Sequence, residues 1–371
     1  MKRVLLYVIC VVFGMNVAFG EASELKILYL IPFESDSYTS PIVRNSEDMG
    51  QVRSYQMMGF WNGAQMALEE LSKDRNISFD IVVRDVSNNE KQLRAIMEDT
   101  ELMRGVDLII GPFFGKMFSI AAEYAKQYRI PIVNPFTSRR DFMVDNEYVF
   151  KLMPALESRP AMIAFMAQQT GASPIIIYGD SNSQDKEMTA YLRYFQENNV
   201  DFELIPNASS VVTRISQTKP SIVITFYNNP AINLIISRNL LYSQKTDNLT
   251  FVVPESWLES KTYDIEYYSK LNLHFFSDYY IDYEAEKTKI FINDYTEKYG
   301  VAPSLASFSF QGYDITRYFV ELVFNYLDLD RVKVSPIAFP FTFDKLPNGG
   351  YENVNVQFLE VKNNEIVPSG Y

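Results

Sequence analysis

Side chains that carry covalent or acid–base chemistry are scarce in this sequence. Its single histidine, His274, lies in the apolar run LHFF, and its single cysteine, Cys10, lies in an N-terminal apolar run. So few such residues leave little from which to build a nucleophile–base pair or a zinc site. His274 is expected to be a satisfied core or interface histidine. There is no GxSxG, no HExxH, no GxxxxGK[ST] and no GxGxxG after the first apolar strand. With 46 Asp and Glu residues a carboxylate pair stays open, but no spacing marks one out. No enzyme, metal site or cofactor is expected. The Asn-x-Ser/Thr sequons at Asn76, Asn207 and Asn248 occur at the rate chance gives.

Residues suited to hold a ligand follow the apolar strands instead. In GPFFGK (111–116), Gly115 and the N–H groups after it open a helix, a position that favours an anion by roughly 0.3–1 kcal/mol. Lys116 would add charge beside Phe114. The alternative is that Phe113 and Phe114 pack between lobes and Lys116 is solvated. Phe136, Thr137 and Ser138 form a turn whose hydroxyls either reach a ligand or cap the next segment, with Arg139 and Arg140 behind them. Tyr178 ends the run PIIIY with Asp180 and Ser181 just after it, and Tyr227, Asn228 and Asn229 follow SIVITF. Each could hydrogen-bond a polar ligand. Glu255, in Pro254-Glu255-Ser256-Trp257, follows a later strand.

The elements that carry these loops alternate strand and helix, as in βαβ units. Strands are expected at 25–32, 78–84, 106–110 and 131–134, with helices at 59–76, 88–104 and 114–128. Apolar residues at Ala64, Ala67, Leu68 and Leu71 mark one helical face. The pattern restarts after 150–154, with helices at 158–169, 184–198, 211–218 and 230–242. Its strands are 174–178, 202–205, 221–226 and 249–253. Continuous apolar runs such as VDLII suit strands buried on both faces of a parallel sheet. Helices at 285–299 and 310–326 follow, and 341–367 alternates like a strand pair turning at Asn363-Asn364. Residues 35–55 read as a polar loop. The fold class is therefore α/β, with two doubly wound parallel-sheet lobes.

Lys2 and Arg3, the apolar run 4–13 and Ala18-Phe19-Gly20 read as a cleaved signal peptide, 1–20, with cleavage before Glu21. Cys10 lies mid-run rather than at its end, which argues against lipidation. The expectation is a soluble periplasmic protein with no integral membrane segment after cleavage. A net charge of −12 argues against nucleic acid, which demands a basic footprint. About 350 mature residues exceed what one hydrophobic core usually serves, so two domains are expected.

Four stretches together resemble the leucine/isoleucine/valine-binding protein family, a type I periplasmic solute-binding family. They are MGFWNGAQMALEEL (58–71), VDLIIGPFFGKMFSIAAEYAKQYRIPIVNPFTS (106–138), YVFKLMP (148–154) and FINDYTEKYGVAPSLASFSFQGYDITRYFVELV (291–323). The resemblance implies three crossings between lobes. One lobe would hold 25–152 plus 282–334, the other 153–281 plus 335–371, joined by a multi-crossover hinge. It implies a small polar, amino-acid-like ligand in the cleft, with an ABC permease as a possible partner. By the same resemblance, 136–138 supply a carbonyl and a hydroxyl, and Glu255 faces a ligand ammonium. The family's hydroxyl for the ligand carboxylate is missing, since Phe114, Gly115 and Lys116 stand there. The GPFF…IPIVNPFTSR stretch also resembles lobes of lipoproteins that activate peptidoglycan synthases. That likeness implies a cell-envelope interaction module with a vestigial cleft.

Overall fold

The computed structural model describes residues 24–35, 52–75, 77–87, 89–177, 186–258 and 265–370. The expected signal peptide and Tyr178, Asp180 and Ser181 lie outside the described residues.

Strand β1 (Glu24–Ile31) shows how the first lobe is layered. Successive side chains of a strand point to opposite faces, and here both faces are apolar. Ile27, Tyr29 and Ile31 pack on one side, against α1 (Arg53–Arg75). Leu28 and Leu30 pack on the other, toward α2 (Glu90–Met97) and α3 (Gly115–Tyr128). The parallel strands β2 (Ser78–Asp85), β3 (Val106–Ile110), β4 (Ile132–Asn134) and β5 (Val149–Lys151) complete the order β2-β1-β3-β4-β5.

The second lobe repeats this arrangement. It is built from β6 (Pro174–Ile177), β7 (Glu203–Ile205), β8 (Ser221–Thr225), β9 (Leu249–Val253) and β10 (Leu273–Ser277), in the order β7-β6-β8-β9-β10. Helices α4 (Ser158–Thr170), α5 (Lys186–Glu197) and α6 (Pro230–Tyr242) cover it. Both lobes thus have a doubly wound order whose switch point opens at the carboxyl ends of the strands, where such sheets bind ligands.

Helix α7 (Glu286–Tyr299) and helix α8 (Ser309–Phe324) return to the first lobe. There α8 lies so close to α1 that only glycine fits. A Cβ on Gly312 would come within 1.9 Å of the Phe60 carbonyl oxygen, and one on Gly63 within 2.0 Å of that of Ser309.

Three departures from expectation stand out. The segment 335–371 was expected wholly in the second lobe, but β11 (Phe343–Lys345) and β12 (Tyr351–Asn353) extend the first sheet, with β12 parallel to β5. Only β13 (Gln357–Lys362) and β14 (Glu365–Pro368) join the second, antiparallel on β10. Each sheet has an open edge at its fifth strand, and the tail covers both in turn. Helix α1 begins at Arg53 rather than 59. His274 lies in a strand, β10, whose short apolar run was hidden among loop residues. The chain therefore passes between sheets three times, after β5, after β10 and after β12.

Candidate functional site

The expected site residues fall into three places. The first is the corner where α3 begins. Gly115 lies against the 137–139 turn, since an added Cβ would stand 3.5 Å from Thr137 Oγ1 and from Arg139 Cδ. Asn134 shapes that turn: its Oδ1 accepts from the backbone N–H of Phe136 (2.9 Å) and Thr137 (2.6 Å). Several side chains at this corner are already engaged with neighbours. The Phe114 ring carries the Arg53 guanidinium at 4.7 Å, and Lys116 pairs with Glu90 at 2.5 Å. Thr137 Oγ1 accepts from the Arg139 N–H, Ser119 donates back to Gly115 O, and Arg139 is paired with Asp141. Ser138 is exposed. Phe113 is not interlobe packing; it is buried in the first-lobe core against Phe60.

The second place is the second-lobe strand ends. Tyr227 is buried in that lobe's core and its carbonyl accepts from Trp257 Nε1 at 2.7 Å, so the ring serves packing. Asn228 is exposed and accepts from the Ser256 hydroxyl.

The third place lies where the three crossings meet. A cavity of about 200 Å³ is lined from both lobes, and Phe136 and Glu255 are the expected residues that reach it. Leu152, Met153 and Pro154 contribute the first crossing, Asp278 and Tyr279 the second, and Asn353 the third. Phe308, Phe339 and Phe341 extend an aromatic wall in which Phe136 packs on Phe308 at 4.7 Å. Glu255 Oε1 accepts from Ser277 at 2.9 Å. Asp278 stands 3.7 Å from Arg159, which also pairs with Glu187 at 2.8 Å. Gln311 lines the same cavity, and its buried Oε1 has no hydrogen-bond partner among the described residues.

Sequence reading missed Asp278 and Tyr279 because the strand they follow, β10, was not recognised, and Gln311, Phe339 and Phe341 because they lie at a helix start and in the segment before β11. A usable signal was the Tyr313-Asp314 pair. Asp314, fully buried, accepts the N–H groups of Ile337, Ala338 and Phe339 at 2.8, 2.8 and 2.9 Å. This holds the segment carrying Phe339 in place. Burial pushes the Asp314 carboxyl up to about 6, against those three donors.

Charge also ties the crossings together. Lys151 and Glu352, both nearly inaccessible, pair at 2.9 Å. Arg140 binds Glu352 through two bonds of 2.8 and 2.5 Å and reaches Glu157 of the second lobe at 3.5 Å. Burial raises the Glu352 carboxyl, but its pairs with Arg140 and Lys151 outweigh this and hold it below the usual range. Asn353 Nδ2 donates to Leu152 O at 3.0 Å, joining the first and third crossings. Among the described residues no cluster of His, Cys, Asp and Glu is placed to hold a metal, and no helix is long and apolar enough to cross a membrane. His274 is the core histidine expected: it is buried, bonded to Asn272 O and stacked on Phe358.

Two doubly wound lobes joined by three crossings, with a cavity at the join, define the type I periplasmic binding fold. The chain belongs to the periplasmic binding protein family, whose sequence profile matches residues 47–338. No curated protein matches it in sequence. Among solved structures, it is similar to a Rhodospirillum rubrum protein assigned as a branched-chain amino acid ABC transporter. That match has 13% identity and TM-score 0.61, and covers 94% of this chain and 100% of that one. It is also similar to full-length LpoA of Haemophilus influenzae, with 12% identity and TM-score 0.58. That match covers 94% of this chain but only 59% of LpoA. The LpoA C-domain, a regulator of PBP1A, is covered in full at 12% identity and TM-score 0.57.

Proposed function

We propose that this chain is a periplasmic receptor that closes its lobes over a small amine-bearing, amino-acid-like ligand and hands it to an ABC transporter. The observation that carries the reading is the cavity at the three crossings, with Glu255, Asp278 and Gln311 offering acceptors beside an aromatic wall. Its volume of about 200 Å³ lies below the roughly 300–1,000 Å³ of sites for drug-sized ligands. That scale suits a single amino acid. Carboxylates facing an ammonium give charge-assisted hydrogen bonds of about 1.5–3 kcal/mol each and select against neutral ligands.

A thermal-shift panel of amino acids, amines, short peptides and sugars tests this. A ligand at one hundred times its Kd adds about 2.7 kcal/mol of stability. Glu255→Gln should then weaken the hit about tenfold or more; unchanged affinity removes the ammonium assignment. A panel with no shift removes the receptor reading.

A second reading has its own support. Phe114, Lys116 and Thr137 are engaged by Arg53, Glu90 and the Arg139 N–H, so these side chains at the corner where a ligand carboxylate would dock already have partners. In that reading the chain is a cell-envelope interaction module, as the LpoA C-domain is a regulator of PBP1A. Retention of a peptidoglycan synthase by the immobilised protein, with a silent ligand panel, would favour it.

A further inference from the structure

We infer that α4 carries a docking groove for a partner protein, whose basic amphipathic helix lies along its outer face between Asp344 and Asp201. Such a contact is independent of any ligand in the hinge cavity, so it goes beyond the receptor reading. Of the 13 residues of α4 only Arg159 is charged, and it is held by Glu187 and Asp278. The outer face reads Ala161, Met162, Phe165 and Gln168, none of them buried, and Phe165 is 52% exposed. A surface helix ordinarily turns charged residues outward, as the neighbouring α5 does with Arg193 and Glu197. An uncharged, largely apolar outer face instead marks a place where another surface lies.

The surface beside α4 has the shape to receive a helix. Phe165 stands as a ridge between two hollows, of about 710 and 610 Å³, both of which Ala161 and Phe165 line. The first is walled by both lobes, with Met162 on one side and Leu346, Val354 and Val356 of the tail on the other. The second runs on past Ala164 and Ala167 to Gly171 and Val200. Small residues let a second helix axis approach to about 8–10 Å, and the 13 residues of α4 span about 20 Å, the length of three to four turns. The charges at the rim choose the partner's sign. Arg140 lines the first hollow but is bound by Glu352 and Glu157, and Arg193 beside it is bound by Glu157. Lys345 pairs with Glu147. Asp344 at one end and Asp201 at the other are exposed and have no ion pair among the described residues. A helix with lysine or arginine flanking an apolar stripe meets both carboxylates. An acidic helix, an anionic lipid surface or a second copy of a chain with net charge −12 would be repelled.

Calorimetry on the purified protein tests this with a leucine–lysine peptide of about fourteen residues, helical and apolar on one side, and with its leucine–glutamate counterpart. The lysine peptide should bind in the micromolar range, and the glutamate peptide about tenfold more weakly or less. Phe165→Ala should weaken the lysine peptide about tenfold. Asp201→Lys and Asp344→Lys should each weaken it about fivefold, an effect that fades as salt is added. Tyr242→Ala, which removes an exposed aromatic from α6, should bind it as the wild type does. Equal binding by Phe165→Ala, or equal affinity for the two peptides, overturns the groove, since either result means an attraction that ignores this face. Phosphatidylglycerol vesicles that retain the wild type but not Phe165→Ala assign the face to a membrane. Sedimentation showing a dimer that Phe165→Ala abolishes assigns it to a second copy. Each of these overturns the partner helix. No binding of the lysine peptide overturns it as well, and leaves the receptor reading untouched.

Discussion

Replacing Glu352 by alanine removes the carboxylate that faces Lys151. The two side chains are 3% and 1% exposed and 2.9 Å apart, so water cannot take over the lost role. At an effective dielectric of about 20 their attraction is roughly 6 kcal/mol, part of which offsets desolvation. Breaking such a pair from one side costs about 3–5 kcal/mol. An independent bound agrees: neutralising a lysine at pH 7 costs at most about 5 kcal/mol, the gap between pH 7 and its usual value near 10.4. The midpoint of the first lobe's thermal unfolding should therefore fall by roughly 10 °C. Burial already pushes Lys151 below its ordinary range, and the variant should push it further. The folded state then binds fewer protons than the unfolded one, so the loss should shrink as pH rises toward 10. Urea unfolding at pH 7 and 9.5, for wild type, Glu352→Ala and the double variant Lys151→Met/Glu352→Leu, measures this. The double variant should recover most of the loss. A single variant within about 0.5 kcal/mol of wild type, or a loss that does not change with pH, refutes the reasoning.

Gly312→Ala should destabilise by about 1–3 kcal/mol or more in urea, because its Cβ would meet the Phe60 carbonyl at 1.9 Å and force α8 away from α1. For Asp314, a folded value of about 6 against an unfolded 3.8 means the folded state holds the proton more tightly. Relative to Asp314→Asn, the wild type should be most stable below about pH 4 and lose roughly 3 kcal/mol as pH rises through 6. The opposite slope would mean the three N–H donors outweigh burial. Burial lowers the His274 imidazole, so NMR should place its titration midpoint below the usual histidine range, and the stability it contributes is lost only as pH falls through that midpoint.

The two βα series were legible because each strand–helix pair writes its own period locally. PIII is a uniform apolar run and VDLII is broken only by Asp107, and a run buried on both faces looks the same wherever it lies in the sheet. The helix at 53–58 was not legible, since its first turns carry Arg, Ser, Tyr and Gln and lack an apolar stripe. Among the site residues, Phe136 and Glu255 reach the hinge cavity, as the turn after β4 and the turn after β9 suggested. Tyr227 does not, because its ring turned into the core on the side of Trp257. Lys116 does not, because Glu90 on a neighbouring helix captures it.

What the sequence determined by itself is the order of elements, the repeat of one winding pattern and the family likeness, all of which depend on residues near one another in the chain. What only the tertiary structure decided is which edges the tail covers and which side chains meet at the join. Tyr351 stacks on Phe150 at 4.5 Å, and Glu352 lies beside Lys151, across about two hundred residues. Such meetings are chosen by which strand edge and which buried charge still lack a partner once the lobes have formed, and no local period records that.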